Sequence, residues 1–292
     1  MDDTAASVFS DHVCQLGEGP TYDPATDTAY WFDIRGKTLL SKRWPDGETV
    51  VHELPEMASA LAVIDEGRHA LFTETGLHVR DVQTGTLSVL HPIEADNALT
   101  RSNDARVHPS GAFWLGTMGK GTQVGAGSIY WYREGELRRL YPGITIPNSI
   151  CFSPDGTVAY FADTHLNRLM RVACDPQTGL PVGEPAVFLD HAGIAGGIDG
   201  SVTDAEGLIW NARWGSGAVD CYHPDGRRLR SIDIPARQSS CPAFVGPKAE
   251  RMIVTSAWQG MDEAARKTDP LAGRTFLIDL PMKGRHDPKL AL

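Results

Sequence analysis

No run of apolar residues in this chain approaches the roughly 18–20 needed to cross a bilayer as a helix. The first residues, Met1-Asp2-Asp3-Thr4, have neither the basic nor the apolar stretch of a secretory leader. Cysteines are few: Cys14, Cys151, Cys174, Cys221 and Cys241 are scattered, odd in number and form no C-x-x-C pair. That spacing argues against a disulfide framework or a zinc site, and for buried thiols in a reducing cytoplasm. Positive charge is short as well. Lys plus Arg number 27 against 37 Asp plus Glu, a net charge of −10, so neither nucleic acid nor an anionic membrane is expected as partner. Also missing are the nucleophile elbow G-x-S-x-G, the H-E-x-x-H helix, a Walker loop and a dinucleotide fingerprint. The run Gly125-Ala126-Gly127-Ser128 opens a strand pattern rather than a helix, so it is no phosphate loop.

What is present is a core-forming composition with many turns. Of 292 residues, 41% are hydrophobic and 22% charged, with 30 Gly and 19 Pro, which excludes a mostly disordered chain and implies many short strands. Six segments share one grammar, an apolar strand, a tight polar turn and a stronger aromatic or β-branched strand. They begin at GPTYDPATDTAYWFDI, ALAVIDEGRHALFTET, ARVHPSGAFWLGTM, SICFSPDGTVAYFADT, GSVTDAEGLIWNARW and AFVGPKAERMIVTSA. Their turns, at Asp27, Gly67, Gly111, Gly156, Gly207 and Glu250, recur every 40–51 residues. A second hairpin follows each first one, but the sixth lacks its trailing strand because the chain ends soon after. The segment SVFSDH at 7–12 has the alternation to supply it. These features predict an all-β, six-bladed β-propeller with four antiparallel strands per blade, one domain over 1–292, closed by the N-terminal strand. A β-sandwich also spaces strands evenly but does not predict six homologous double hairpins. Loss of the N-terminal segment is expected to cost far more stability than an equal C-terminal loss, because it opens a blade edge.

Counting back eight residues from the turns reaches Asn103, Asn148 and Asp199. One residue further back in the first unit is Glu18; the second and sixth units give Ser59 and Pro242, beside Ser240 and Cys241. In a propeller such positions ring the central channel at one face, so two carboxylates and two amides should converge there. Oxygen donors without sulfur or imidazole suit a hard divalent cation such as calcium, magnesium or manganese, although Asn and Asp are also ordinary loop formers. The strand that returns to the same face ends in Asp33, Thr73-Glu74, Thr117-Met118, Asp163-Thr164-His165, Arg213-Trp214 and Trp258-Gln259. Some of these should line a cleft. Trp214 and Trp258 serve equally as blade packing, His165 as a loop residue or a base, and Asp33 and Asp163 as turn anchors.

The blocks Leu16-Gly17-Glu18-Gly19-Pro20, Arg101-Ser102-Asn103-Asp104, Ile146-Pro147-Asn148-Ser149 and Ile198-Asp199-Gly200 resemble the signature blocks of the gluconolactonase family that includes regucalcin, or senescence marker protein 30. Trp114-Leu115-Gly116-Thr117-Met118 and Ser153-Pro154-Asp155-Gly156 extend the resemblance over essentially the whole chain. The resemblance implies hydrolysis of a sugar lactone to the aldonic acid by one divalent metal (calcium, zinc, manganese, magnesium or iron). It implies metal ligation by Glu18, Asn148 and Asp199, substrate contacts from Arg101 and Asn103, and Asp199 as general acid/base. Arg213 is a second candidate for holding an acidic substrate. Family members similar to regucalcin carry an acidic residue after the Gly-Thr-Met block; here the stretch is Gly119-Lys120-Gly121-Thr122, so regucalcin's lactone preference does not transfer. The expected setting is cytoplasmic, as a monomer or small homo-oligomer with a small-molecule sugar lactone as partner. Two other classes remain, a non-catalytic calcium-binding regulatory propeller and a protein-interaction platform.

Overall fold

The computed structural model describes residues 6–292. The alternating strands and glycine-bearing turns fold into six four-stranded antiparallel sheets. Their innermost strands are Gly17–Asp23, Ala58–Val63, Thr100–Val107, Pro147–Phe152, Gly197–Thr203 and Ser239–Val245. Each contacts its two neighbours, and the sixth returns to the first, so the blades close a ring around a channel. Burial follows this geometry. The innermost strands are covered on both faces, while outer strands such as Thr49–Glu53 and Arg228–Asp233 are largely exposed. Trp31, Trp114 and Trp210 fill the space between blades and are fully buried. Blade 6 is completed by Ala6–Ser10, which pairs antiparallel with Thr275–Ile278 and sets Val8 opposite Phe276. Thus the N-terminal strand closes the ring, with the edge groups of the last blade paired. Among the described residues one helix interrupts the pattern, Glu263–Thr268, capped by Asp262.

Every innermost strand carries a register shift near its start, between Glu18 and Thr21, Ala58 and Ala60, Ser102 and Ala105, Asn148 and Cys151, Ile198 and Ser201, and Ser239 and Pro242. Such bulges re-aim side chains at strand ends. They also correct the expected common depth. The bulge positions are occupied by Asn103 and Asp199 in blades 3 and 5, but by Ser149 in blade 4 and Ser240 in blade 6, so Asn148, like Glu18, precedes its bulge by one residue. The serines act as stitches. Ser59, Ser149 and Ser240, from blades 2, 4 and 6, donate to the carbonyls of Asn103, Asp199 and Gly17 in the next blade round. Gly19 sits where blade 1 meets this stitching. At φ +54° a Cβ there would stand 1.9 Å from the Ser59 carbonyl oxygen, so only glycine fits.

Residues after Ile278 form no regular strand, yet they are not a loose end. Arg285 donates to the Phe152 carbonyl at 2.6 Å, His286 to that of Gly246 at 2.9 Å, and the Leu290 amide to that of Val63 at 2.8 Å. These carbonyls lie at or just beyond the far ends of innermost strands. The tail therefore seals the channel opposite the face where those strands begin.

Candidate functional site

At the face where the innermost strands begin, the ring opens into a cavity of 220 Å³. Glu18, Arg101, Asn103, Asn148 and Asp199 all line it, so the five residues singled out in the sequence, drawn from four blades, meet in one place. Leu16, Met118, Ile146 and Trp214 add apolar wall, and Arg35, Thr122, Thr164 and Gln259 complete the lining.

The amides and Arg101 are held by a chain of hydrogen bonds running one way round the mouth. Arg101 donates to Asn103 Oδ1 at 2.8 Å, Asn103 Nδ2 to Asn148 Oδ1 at 2.9 Å, and Asn148 Nδ2 to the Thr164 hydroxyl at 2.7 Å. Thr164 in turn donates to the Ile198 carbonyl at 2.6 Å, next to Asp199. Asn148 Oδ1 keeps a lone pair for a further partner. Arg101 is buried and, among the described residues, bonds otherwise only to the Ser102 carbonyl at 2.7 Å and leaves its Nε without a partner. Burial, reinforced by the nearby Arg35 charge, brings its guanidinium down to about 10.

The two carboxylates are in the opposite condition. Glu18 and Asp199 are buried, and neither forms an ion pair among the described residues. Burial first, and then the charge of Asp104, pushes Glu18 up to about 8; burial and the Glu18 charge raise Asp199 well above the carboxylate range. Two uncompensated buried carboxylates are costly unless a cation joins them. With the amide oxygen of Asn148 beside them, they form a hard-donor set that fits a divalent ion. Among the described residues no group of three His, Cys, Asp or Glu forms a metal cluster.

The other sequence candidates divide. Asp33 accepts the amides of Gln15, Leu16 and Gly36 at 2.8–3.0 Å, and Asp163 those of Thr145, Ile146 and His165 at 2.9–3.1 Å. Both are turn anchors fixing the approach to an innermost strand. Trp214, Thr164, Met118 and Gln259 reach the cavity, whereas His165 is exposed and outside its lining. Trp258 lies under the Arg266 guanidinium, 4.3 Å from its ring centre. Arg213 turns away, to the Ala195 and Gly196 carbonyls, His191 and Asp220. Arg35 was missed because it belongs to the turn after Asp33 rather than to a strand end. The stretch Gly119-Lys120-Gly121-Thr122 roofs the cavity, Lys120 pairing with Glu74 and offering its carbonyl to Arg35 at 3.1 Å.

Comparison with known proteins gives a consistent picture. A family profile described as "SMP-30/Gluconolactonase/LRE-like region" matches residues 16–258. A Rhizobium meliloti (strain 1021) protein, provisionally named a sugar lactone lactonase, is 51% identical over 97% of this chain and 96% of its own. The L-arabinolactonase of Azospirillum brasilense is 34% identical over 98% and 95%. A crystal structure of a calcium-binding protein, regucalcin, from Agrobacterium tumefaciens superposes with a TM-score of 0.96 at 50% identity, covering 98% of this chain and 97% of that one.

Proposed function

The chain belongs to the SMP-30/gluconolactonase/LRE-like family, and from that premise we propose that it hydrolyses a sugar lactone to the corresponding aldonic acid with a divalent metal held by Glu18, Asn148 and Asp199. The observation that carries this reading is the buried, unpaired Glu18–Asp199 pair opening on the same 220 Å³ cavity as the half-bonded Arg101. Relatives named as sugar lactone and arabinolactone hydrolases support the substrate class.

A lactone is a cyclic ester. A water oxygen adds to its carbonyl carbon, the bond from that carbon to the ring oxygen breaks, and the ring oxygen leaves as a hydroxyl. A divalent ion held by Glu18, Asn148 and Asp199 would supply Lewis acidity, polarising the carbonyl and lowering the pKa of water. Asp199 takes the proton from the attacking water and returns it to the leaving ring oxygen. Arg101 offers its free Nε–H to the developing oxyanion or to sugar hydroxyls, and Asn103, clamped by Arg101, orients the substrate beside it. A pocket this small lies below the roughly 300–1,000 Å³ of sites for drug-sized ligands, so it suits a single sugar ring.

Acid release from a panel of sugar lactones, measured before and after rigorous chelation, tests the reading. Activity should vanish with the metal and return when divalent ions are added back; full turnover by metal-free protein sinks the mechanism. The alternative is a non-catalytic calcium-binding regulator, favoured by the calcium-binding relative. It predicts metal binding with no turnover of any lactone.

A further inference from the structure

The roof of the cavity carries a positive charge that no ion pair among the described residues balances. Arg35, in the turn after the second strand of blade 1, donates through Nε to Gln259 Oε1 at 3.1 Å and through a terminal nitrogen to the Lys120 carbonyl at 3.1 Å. Its acceptors come from loops of blades 6 and 3, so the guanidinium is braced across the mouth. Both acceptors are neutral, and among the described residues Arg35 forms no ion pair. Arg101 faces the same cavity, also without a carboxylate partner and with a buried, unbonded Nε. Holding two guanidiniums toward one small volume costs free energy unless an anion joins them. The acidic residues of the lining are Glu18 and Asp199 alone, and in the reading above they face a cation that offsets their charge. The carboxylate generated by hydrolysis can satisfy one guanidinium, Arg101. The second is left for an anion that the substrate brings with it.

We propose that Arg35 is a specificity-determining residue that binds an anionic substituent at the end of the sugar ring remote from the reacting carbonyl, so that acid-bearing sugar lactones are preferred over neutral ones. The proposal rests on the lactonase reading for its substrate. The planar fork of donors on Arg35 matches a carboxylate, sulfonate or phosphate, all of which offer paired oxygens. The single-ring size of the cavity places such a group on the same sugar as the lactone.

The test has a binding arm and a kinetic arm, both on metal-loaded full-length protein. Calorimetry compares a six-carbon aldarate, with carboxylates at both ends, against the matching aldonate, with one. Steady-state assays compare kcat/KM for the aldarate monolactone and the neutral aldonolactone. The wild-type protein should favour the anionic member at least tenfold in both arms. Arg35→Met should bring both ratios close to one, and Arg35→Lys, which keeps the charge, should retain most of the preference. A purely structural role for Arg35 would lower both members equally and leave the ratios unchanged. Equal or inverse preference in the wild type, or preference that survives Arg35→Met, overturns the proposal. Aldarate selectivity with no hydrolysis of either lactone instead overturns the lactonase reading and leaves Arg35 as an anion site.

Discussion

At the scale of single residues, the site is organised by what each side chain is denied. Among the described residues Glu18 and Asp199 form no ion pair, Arg101 lacks an acceptor for its Nε, and the amides between them are tied to one another with a lone pair of Asn148 Oδ1 to spare. This division of labour separates two substitutions. Asp199→Asn keeps the side-chain volume and an oxygen donor, so the blades should stay folded and some metal should remain bound. In the proposed mechanism it removes the general base, and general acid/base assistance is worth roughly 10²–10⁴ in rate. Turnover at saturating metal should fall by about that factor, and retention of more than about a tenth would reduce Asp199 to a ligand. Arg101→Ala leaves base and metal in place but releases Asn103 Oδ1 from its 2.8 Å bond, the first link of the chain round the mouth. Its loss should raise KM where Arg101 holds sugar hydroxyls and lower kcat where it holds the developing oxyanion. Metal content measured beside circular dichroism separates either effect from unfolding.

At the scale of the strand and blade, much was legible in the sequence because hairpins are local. Turn residues mark all six inner hairpins, Gly67, Gly111, Gly156 and Gly207 in the middle four and Asp27 and Glu250 in the first and sixth, and the polar residues before the turns at Gly111 and Gly207 fall where Asn103 and Asp199 reach the cavity. What was not legible follows from the bulges. A one-residue shift moves a side chain to the other face of a strand, and no pattern in Ile146-Pro147-Asn148-Ser149 tells that Ser149, at φ +57°, takes the bulge while Asn148 points into the site. Arg35 was hidden for a different reason. Its position depends on acceptors 224 and 85 residues away, Gln259 and the Lys120 carbonyl, and such pairings leave no local trace. The closing strand was legible, since SVFSDH alternates and a twenty-fourth strand was owed. Its removal is a clean test at this scale. Phe9 packs against Trp31 and Trp44 at 6.1 and 6.2 Å between ring centres, and burying one such side chain contributes roughly 1.5–3 kcal/mol before the unpaired strand edge is counted. Deletion through His12 should therefore lower the melting temperature by about 2–4 °C for each kcal/mol lost, on the order of 10 °C in all. Near-native melting would mean that Ala6–Ser10 does not carry the closure.

At the scale of the whole molecule, the expectation that the C-terminus matters far less than the N-terminus has to be revised. The ring alone leaves a channel open at the face away from the cavity, and the tail fills it. Met282 and Leu290 are buried, and Asp287 meets the buried Arg106 at 2.7 Å. Arg106 stands three residues beyond Asn103 on the same strand, so a charge from the tail reaches the column of ionisable groups beneath the cavity. Asp104, raised by burial to about 6 and drawn down by Arg106, lies between the two ends. Asp287 is 27% exposed and Asp104 also faces Arg106, so removing Asp287 should cost less than the roughly 3–5 kcal/mol of a fully buried pair, on the order of 2 kcal/mol. Asp287→Ala should therefore lower the melting temperature by about 4–8 °C, from roughly 2–4 °C per kcal/mol. A control lies in the same tail. Asp279 pairs with Arg251 at 2.8 Å but is 71% exposed, and such surface pairs contribute about 0–1 kcal/mol, so Asp279→Ala should melt within a few degrees of wild type. Replacing Arg106 and Asp287 together by apolar residues should not recover the loss, because the buried Asp104 then loses its neighbouring guanidinium. Equal melting of the two Asp→Ala variants would mean that the tail rests on the ring without sealing it.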